Sequence, residues 1–107
     1  MKTIIVSNGN LALALKNSLK NYVTNPAVHT FCFTHRNHTA TVRAIAQLLS
    51  DSIAKNPNET YLVLADTYNS IAYIETKILL ARLNLIKRAT IYTGVNLPML
   101  LQLYDKE

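Results

Sequence analysis

The sequence predicts an α/β fold, an open parallel four-stranded doubly wound sheet in strand order 2-1-3-4 with helices on both faces. Four short apolar runs are each followed by a stretch whose apolar residues recur at helical spacing. This alternation implies right-handed crossovers and therefore a parallel sheet. Half of the 107 residues are apolar and 16% are charged, so we expect residues 1–107 to form a single globular domain.

The first strand–helix unit begins with the β-branched run at residues 3–6, which is typical of a strand covered on both faces. Asn10 is placed to cap the helix that follows. Four apolar positions share one face of that helix: Leu11, Leu15, Leu19 and Tyr22.

In the second unit, residues 28–33 predict a strand that ends at the polar loop 34–38. We expect His29 to be a hydrogen-bonded core or edge residue and Cys32 to pack as a small core hydrophobe. Thr39 can cap the second helix. The apolar face of this helix consists of Val42, Ile45, Ala46, Leu49 and Ile53.

The third strand is predicted at residues 61–65 and closes at Asp66, and the fourth at residues 89–93, before the turn at Gly94. Pro98 suits the first turn of the last helix, where its missing N–H costs nothing. Between these two strands, residues 70–83 predict a helix with Arg82 near its end, where a cation suits the helix dipole. Its apolar stripe is expected to face the core and consists of Ile71, Ile74, Ile78 and Leu79.

Charge and composition exclude several function classes. The net charge of +5 is concentrated in residues 1–60, which carry six Lys or Arg against two carboxylates, and this favours an anionic partner. There is no block of like charges and no basic stripe interleaved with aromatic residues, so we expect no nucleic-acid binding. No apolar stretch is long enough to span a membrane, and residues 1–6 do not form a signal peptide, so we expect no membrane insertion. The single cysteine indicates a reducing, cytoplasmic location.

The carboxyl ends of the four strands converge at one edge of such a sheet, where open α/β proteins bind ligands. Because backbone N–H groups at the following helix starts favour an anion, we expect an anion or phosphate cradle there. The alternative is that these residues are simply good turn and cap formers. The candidate cradle consists of Ser7, Asn8, Gly9, Asp66, Thr67, Ser70 and Asn96.

Two features of these loops bear on chemistry. Asp66 is expected either to cap the next helix or to accept hydrogen bonds that orient a neighbouring group. His35, Arg36 and His38 lie in one loop without a third metal ligand in view, so we expect a solvated, pH-sensitive basic edge rather than a metal site. No cofactor is implied. The turn at residues 7–10 offers no titratable side chain, so strong acid–base or nucleophilic chemistry is not expected at that turn.

Three segments at strand ends resemble a known family. Residues 4–9 followed by Leu11 and Ala12 resemble a first strand and its Ser-His-Gly turn, and residues 62–68 resemble an apolar strand that ends in Asp-Thr-aromatic. Residues 94–100, Gly-Val-Asn-Leu-Pro-Met-Leu, match the family's most recognisable segment almost residue for residue. On these segments the chain is similar to the mannose-type (mannose/fructose/sorbose) enzyme IIA of the bacterial sugar phosphotransferase system.

The resemblance implies a site but also departures from it. In the family, a histidine in the first turn takes a phosphoryl group from a small phosphocarrier protein, and an aspartate at the third strand end supports it. By position the aspartate is Asp66, but the histidine falls on Asn8, whose amide nitrogen is neither basic nor nucleophilic. The loop at 68–71 lacks the family's glycines, and the chain ends at Glu107 without the family's C-terminal helix and exchanged strand. The fourth strand is therefore expected to be an open edge.

We therefore expect a degenerate or accessory enzyme IIA-like protein that acts by binding or regulation rather than by histidine phosphotransfer. Its expected partners are the phosphocarrier protein or sibling transport subunits. One alternative is an active enzyme IIA that carries an engineered His-to-Asn change at position 8. Another is a structural module that forms a homodimer through the edge at residues 89–93. In principle His35 could accept the phosphoryl group instead, although a mobile loop positions a nucleophile poorly.

Overall fold

A computed structural model describes residues 1–104 of the chain, and residues 105–107, which include the expected chain end at Glu107, lie outside the described residues. The elements in chain order are β1 (Lys2–Asn8), α1 (Leu11–Leu19), β2 (Val28–Phe33), α2 (His38–Lys55), β3 (Tyr61–Ala65), α3 (Ile71–Arg82), a 3₁₀ turn (Ile86–Arg88), β4 (Ala89–Thr93) and α4 (Leu97–Tyr104). All strand pairs are parallel and the sheet order is β2-β1-β3-β4. The predicted fold class and strand order are confirmed.

The sheet is packed on both faces, which explains the unbroken apolar runs of its central strands. The side chains of Ile4, Ile5 and Val6 in β1 are fully buried. Helices α2 and α3 cover one face and pack over Ile4, Val6 and Val63. Helices α1 and α4 cover the opposite face and pack over Ile5 and Leu64. Of the described helices, none is long and apolar enough to cross a bilayer.

The strand register brings the candidate loops to one edge of the sheet. Asn8 pairs with Phe33 at the end of β2, and Val6 pairs with Ala65 at the end of β3. Beyond the strands, the Asp66 N–H donates to the Val6 carbonyl at 3.1 Å. The turns after β1, β2 and β3 therefore begin side by side.

Helix α1 differs from its prediction at both ends. Asn10 stands at the N-cap position, but its side chain makes no capping hydrogen bond. The Ser7 hydroxyl caps the helix instead, because its Oγ lies 2.8 Å from the Ala12 N–H. The helix ends at Leu19, where the backbone changes to hydrogen bonds three residues apart, such as Tyr22 N–H to the Leu19 carbonyl at 2.9 Å. Tyr22 is therefore turned off the stripe and exposed.

Helix α2 begins one residue earlier than its expected cap. Thr39 lies inside the helix, and the N-cap residue is Asn37, whose side chain does not cap α2. Instead, Asn37 Oδ1 accepts the Thr34 N–H at 2.7 Å and holds the preceding turn closed. The predicted apolar face is confirmed: Ile45 and Leu49 are buried and the other members pack against them.

Helix α3 was predicted with the right period but the wrong buried face. Leu79 is buried, but Ile71, Ile74 and Ile78 are 45%, 41% and 41% exposed. The face against the sheet is instead formed by Ala72, Thr76, Leu79 and Leu80. Both rows recur at helical spacing, so periodicity identifies the helix without deciding which row is buried.

The two residues singled out in β2 lie on an edge strand of the sheet. His29 is half-buried and, among the described residues, its side chain has no hydrogen-bond partner, contrary to the expected bond. Burial lowers the pKa of His29, and the charges of Lys2 and Lys16 lower it further. Cys32 is also half-buried and packs against the core on the α1 side of the sheet, as expected.

Candidate functional site

The turn after β1 is held rigid by one buried hydroxyl. Ser7 is fully buried, and besides capping α1 its Oγ–H donates to the Gly9 carbonyl at 2.9 Å. Gly9 has φ +73°, a left-handed conformation that glycine adopts without steric cost, and its N–H donates to the Phe33 carbonyl at 2.8 Å. These contacts fix the backbone on both sides of Asn8.

Asp66 connects this turn to the start of α3. Its Oδ2 accepts the backbone N–H of Asn8 at 2.9 Å, and its Oδ1 accepts the Ser70 hydroxyl at 2.7 Å. The helix cap is Ser70, whose Oγ accepts the Tyr73 N–H at 3.1 Å. Of the two expectations for Asp66, the cap is wrong, and the carboxylate acts as an acceptor that orients two neighbouring groups.

The Asn8 side chain is itself tied to α3. Its Oδ1 accepts the Ala72 N–H at 3.0 Å, and since the donor is a backbone amide this fixes which end of the carboxamide is the oxygen. Within the described residues its Nδ2 has no hydrogen-bond partner, so its two N–H donors remain available beside the cleft described below. The acceptor oxygen of Asn8 is therefore engaged within the protein, whereas its two N–H donors can bond to a ligand.

Three of the helix-start donors expected to receive an anion are already paired with protein oxygens. Ser7 Oγ accepts the Ala12 N–H and Asn8 Oδ1 accepts the Ala72 N–H. Asn96 Oδ1 accepts the Met99 N–H at 2.9 Å. The candidate residues that the structure joins by hydrogen bonds are Ser7, Asn8, Gly9, Asp66 and Ser70. Thr67 is exposed next to them, and the side chain of Asn96 stays within its own turn, bonding the Gly94 carbonyl at 3.2 Å.

A cleft of about 300 Å³ opens on the β2 side of Asn8. It is lined by Asn8, Gly9, Phe33, Thr34, His35, His38 and Ile71. His38 belongs to α2 rather than to the loop, and its Nε2 lies 3.2 Å from Oε2 of Glu75 on α3. Its ring stands edge-on to Phe33 with centroids 5.7 Å apart. Of the predicted basic edge, His35 and His38 share the cleft, whereas Arg36 is exposed and does not line it.

Sequence reasoning missed three contributors to this site. Ala72 supplies only a backbone N–H, Glu75 pairs with a histidine on another helix, and Ile71 forms a wall of the cleft. None has a local sequence signal, because each acts through contacts between elements far apart in the chain. In residues 1–104, no three His, Cys, Asp or Glu side chains converge in a way that could hold a metal ion.

The chain is similar to one described family. The family model described as "PTS system fructose IIA component" matches residues 2–107. No curated protein matches the chain significantly.

Several solved structures share the fold. The mannose/sorbose-specific IIA subunit of the phosphotransferase system from Enterococcus faecalis is 20% identical, with a TM-score of 0.75, over 98% of this chain and 76% of that one. The phosphotransferase system component EIIA from Streptococcus agalactiae is 22% identical, with a TM-score of 0.70, over 94% and 73%. The PTS IIA protein associated with the fucose utilization operon of Streptococcus pneumoniae is 18% identical, with a TM-score of 0.66, over 98% and 76%.

Proposed function

This chain belongs to the family of the fructose IIA component of the sugar phosphotransferase system, and we propose that it serves such a system by binding or regulation rather than by carrying a phosphoryl group on residue 8. Membership of this family implies interaction with other components of the system. The proposed partners are the phosphocarrier protein and the sibling transport subunits, and the proposed location is the cytoplasm, where those proteins meet.

The observation that carries the proposal is the state of Asn8. We propose that this residue stands at the position of the family's phosphorylated histidine, with Asp66 in the role of the supporting aspartate. The nitrogen lone pair of a carboxamide is delocalised into its carbonyl group and cannot attack phosphorus, and the carboxamide oxygen is engaged by the Ala72 N–H at 3.0 Å. The hydrogen bonds around this residue are nevertheless in place, since Asp66 accepts both the residue 8 backbone N–H and the Ser70 hydroxyl. A maintained scaffold around a residue that cannot react favours a binding role.

A phosphorylation assay tests this proposal. The chain is incubated with phosphoenolpyruvate, the upstream enzyme and the phosphocarrier protein, and the product is analysed by intact mass and by phosphohistidine mapping. We expect calorimetry to detect a complex with the phosphocarrier or a sibling subunit and the mass to stay unchanged. A stable phosphohistidine at the cleft, on His35 or His38, would contradict the proposal.

A second candidate is an active enzyme IIA with an engineered change at residue 8, and it is favoured by the same intact scaffold. The variant Asn8→His should then take up one phosphoryl group under the conditions above, whereas the unsubstituted chain should not. Failure of the variant to accept phosphate, while it stays folded, would leave the binding role as the better account.

The open edge of β4 supports a third proposal, that the protein forms a homodimer. In the described sheet β4 has one neighbour only, and Tyr92 on this strand is 55% exposed. Pairing with a second copy would satisfy the free backbone groups of such an edge. Sedimentation equilibrium tests this, and a strict monomer at high concentration would remove the edge-pairing model.

A further inference from the structure

The exposed row of isoleucines on α3 is the largest departure between the sequence pattern and the structure. Ile71, Ile74 and Ile78 lie at positions i, i+3 and i+7, so they line one side of the helix. Each is more than 40% exposed although each is a large aliphatic side chain. Single exposed aliphatic residues are ordinary on a protein surface, but three in one row form a continuous patch, and such patches mark interaction sites.

The row is continuous with the candidate site. Ile71 is its first member and also forms a wall of the cleft beside Asn8. Farther along the row, Ile74 and Ile78 line a shallow groove together with Tyr68, Tyr73 and Lys77. The Tyr68 and Tyr73 rings lie 5.2 Å apart, and Lys77 Nζ lies 5.7 Å from the centre of the Tyr73 ring. The apolar surface therefore extends from the cleft along α3, and we call Ile71, Ile74, Ile78 and Tyr68 the α3 face.

The rim of the α3 face is basic. Arg82 continues the isoleucine row at i+11, and Lys77 lies beside it, both exposed. The carboxylate on α3 is Glu75, whose Oε2 lies 3.2 Å from Nε2 of His38 on α2. Across α2 and α3 together, four Lys or Arg stand against two carboxylates. A second copy of the chain seated on the α3 face would bring this positive rim against itself.

From these observations we propose that the α3 face is the docking surface for a protein partner that presents aliphatic or aromatic side chains inside an acidic rim. The inference rests on the proposed binding function and identifies where that binding takes place. The isoleucines supply the buried apolar contact, and Lys77 and Arg82 steer the partner and set its orientation. Because Ile71 belongs to both surfaces, a partner seated on the face also covers the entrance of the cleft.

Calorimetric titration with the phosphocarrier protein and with the purified IIB subunit of the source organism tests the proposal. Ile74→Glu should weaken binding at least about tenfold, since it places a carboxylate in the apolar centre of the contact. Leu13→Glu is the matched control: Leu13 is 47% exposed but lies on α1, on the opposite face of the sheet, so its variant should bind within about twofold of the unsubstituted chain. Melting temperatures establish that both variants are folded.

Charge reversal provides a second, independent readout. Arg82→Glu and Lys77→Glu should each weaken binding several-fold and flatten its dependence on salt concentration. Binding that is unaffected by Ile74→Glu and by both reversals would overturn the α3 face while leaving the binding function in place. If neither protein binds the unsubstituted chain, the binding function itself fails and the docking surface with it. Self-association that is abolished by Ile74→Glu would show a second copy on this face, and would overturn the acidic partner.

Discussion

Substitutions of Asp66 test whether this carboxylate is the joint between the β1 turn and α3. Its two oxygens accept different donors, the Asn8 backbone N–H at 2.9 Å and the Ser70 hydroxyl at 2.7 Å. Hydrogen bonds to a charged group contribute about 1.5–3 kcal/mol each. Asp66 is half-buried and Asn8 is exposed, so water replaces part of what is lost and the lower end of that range applies. Asp66→Ala should therefore reduce the free energy of unfolding by about 3 kcal/mol.

Asp66→Asn is the diagnostic comparison. Its amide oxygen can still accept the Asn8 N–H, and its NH₂ can donate to Ser70 Oγ, because a hydroxyl both donates and accepts. Both hydrogen bonds are kept, although the donor and the acceptor exchange roles in the one to Ser70. What is lost is the extra strength that the negative charge of the carboxylate gives to each bond. We expect a cost of about 1 kcal/mol, roughly a third of that of the alanine variant.

Urea unfolding followed by circular dichroism measures both values. For a domain of this size, a loss of about 3 kcal/mol lowers the urea midpoint by about 1–3 M. Ser70→Ala in each background completes a double-mutant cycle and isolates the coupling between Ser70 and Asp66. The reasoning is refuted if Asp66→Asn is as destabilising as Asp66→Ala, or if Asp66→Ala changes stability by less than about 0.5 kcal/mol.

Three further predictions follow from single groups. Thr76 Oγ1 is buried and has no hydrogen-bond partner within residues 1–104, so Thr76→Val should raise the free energy of unfolding by about 1 kcal/mol. Thr41→Val, which loses a hydrogen bond to the Cys32 carbonyl, should lower it, and thermal unfolding measures both. Gly9→Ala should cost about 1 kcal/mol in the same assay, because φ is +73° and the added Cβ meets no atom of residues 1–104 within 4 Å, so only the backbone conformation is penalised. A neutral variant would contradict this. The pKa of His29 is lowered in the folded state, so its contribution to stability is present above the unfolded value of 6.5 and is lost as pH falls through the folded pKa. Because the charge of Lys16 is one cause of the lowered pKa, NMR titration of Lys16→Gln should show the His29 pKa shifted upward. No shift would contradict this cause.

The sequence was sufficient to predict the fold because its local signals agree with one another. Buried runs such as Tyr61–Ala65, polar turns and helical spacing all indicate the same parallel sheet, and the structure confirms it. The errors occurred where two local choices have nearly equal merit. Ser7 and Asn10 are both good capping residues, and only the buried position of Ser7 decides between them.

The sequence predicted where the site lies on the sheet but not which contacts its residues make. That Asn8 and Asp66 would lie together follows from the convergence of parallel strand ends, a property of topology. That Glu75 would pair with His38, or that Ala72 would donate to Asn8, depends on how helices separated along the chain settle against each other. The exposure of the α3 isoleucines was not predictable either, because two rows of residues on this helix have the same spacing and either could pack against the sheet.

The hydrogen bond between Asn8 and α3 also predicts how an imidazole would behave at this position. Asn Oδ1 and His Nδ1 are both bonded to Cγ, so in Asn8→His the Nδ1 lone pair would take the place of the oxygen and accept the Ala72 N–H, which now lies 3.0 Å from Oδ1. The ring proton then resides on Nε2, and that nitrogen has no lone pair with which to attack phosphorus. Both oxygens of the Asp66 carboxylate already accept a hydrogen bond, from the residue 8 N–H at 2.9 Å and from the Ser70 hydroxyl at 2.7 Å, so an Nδ1–H would have to share one of them. We therefore expect ¹⁵N NMR of the Asn8→His variant to show mainly the Nε2–H tautomer and phosphorylation to be slow, and a dominant Nδ1–H tautomer would show that the contact to α3 does not control the ring.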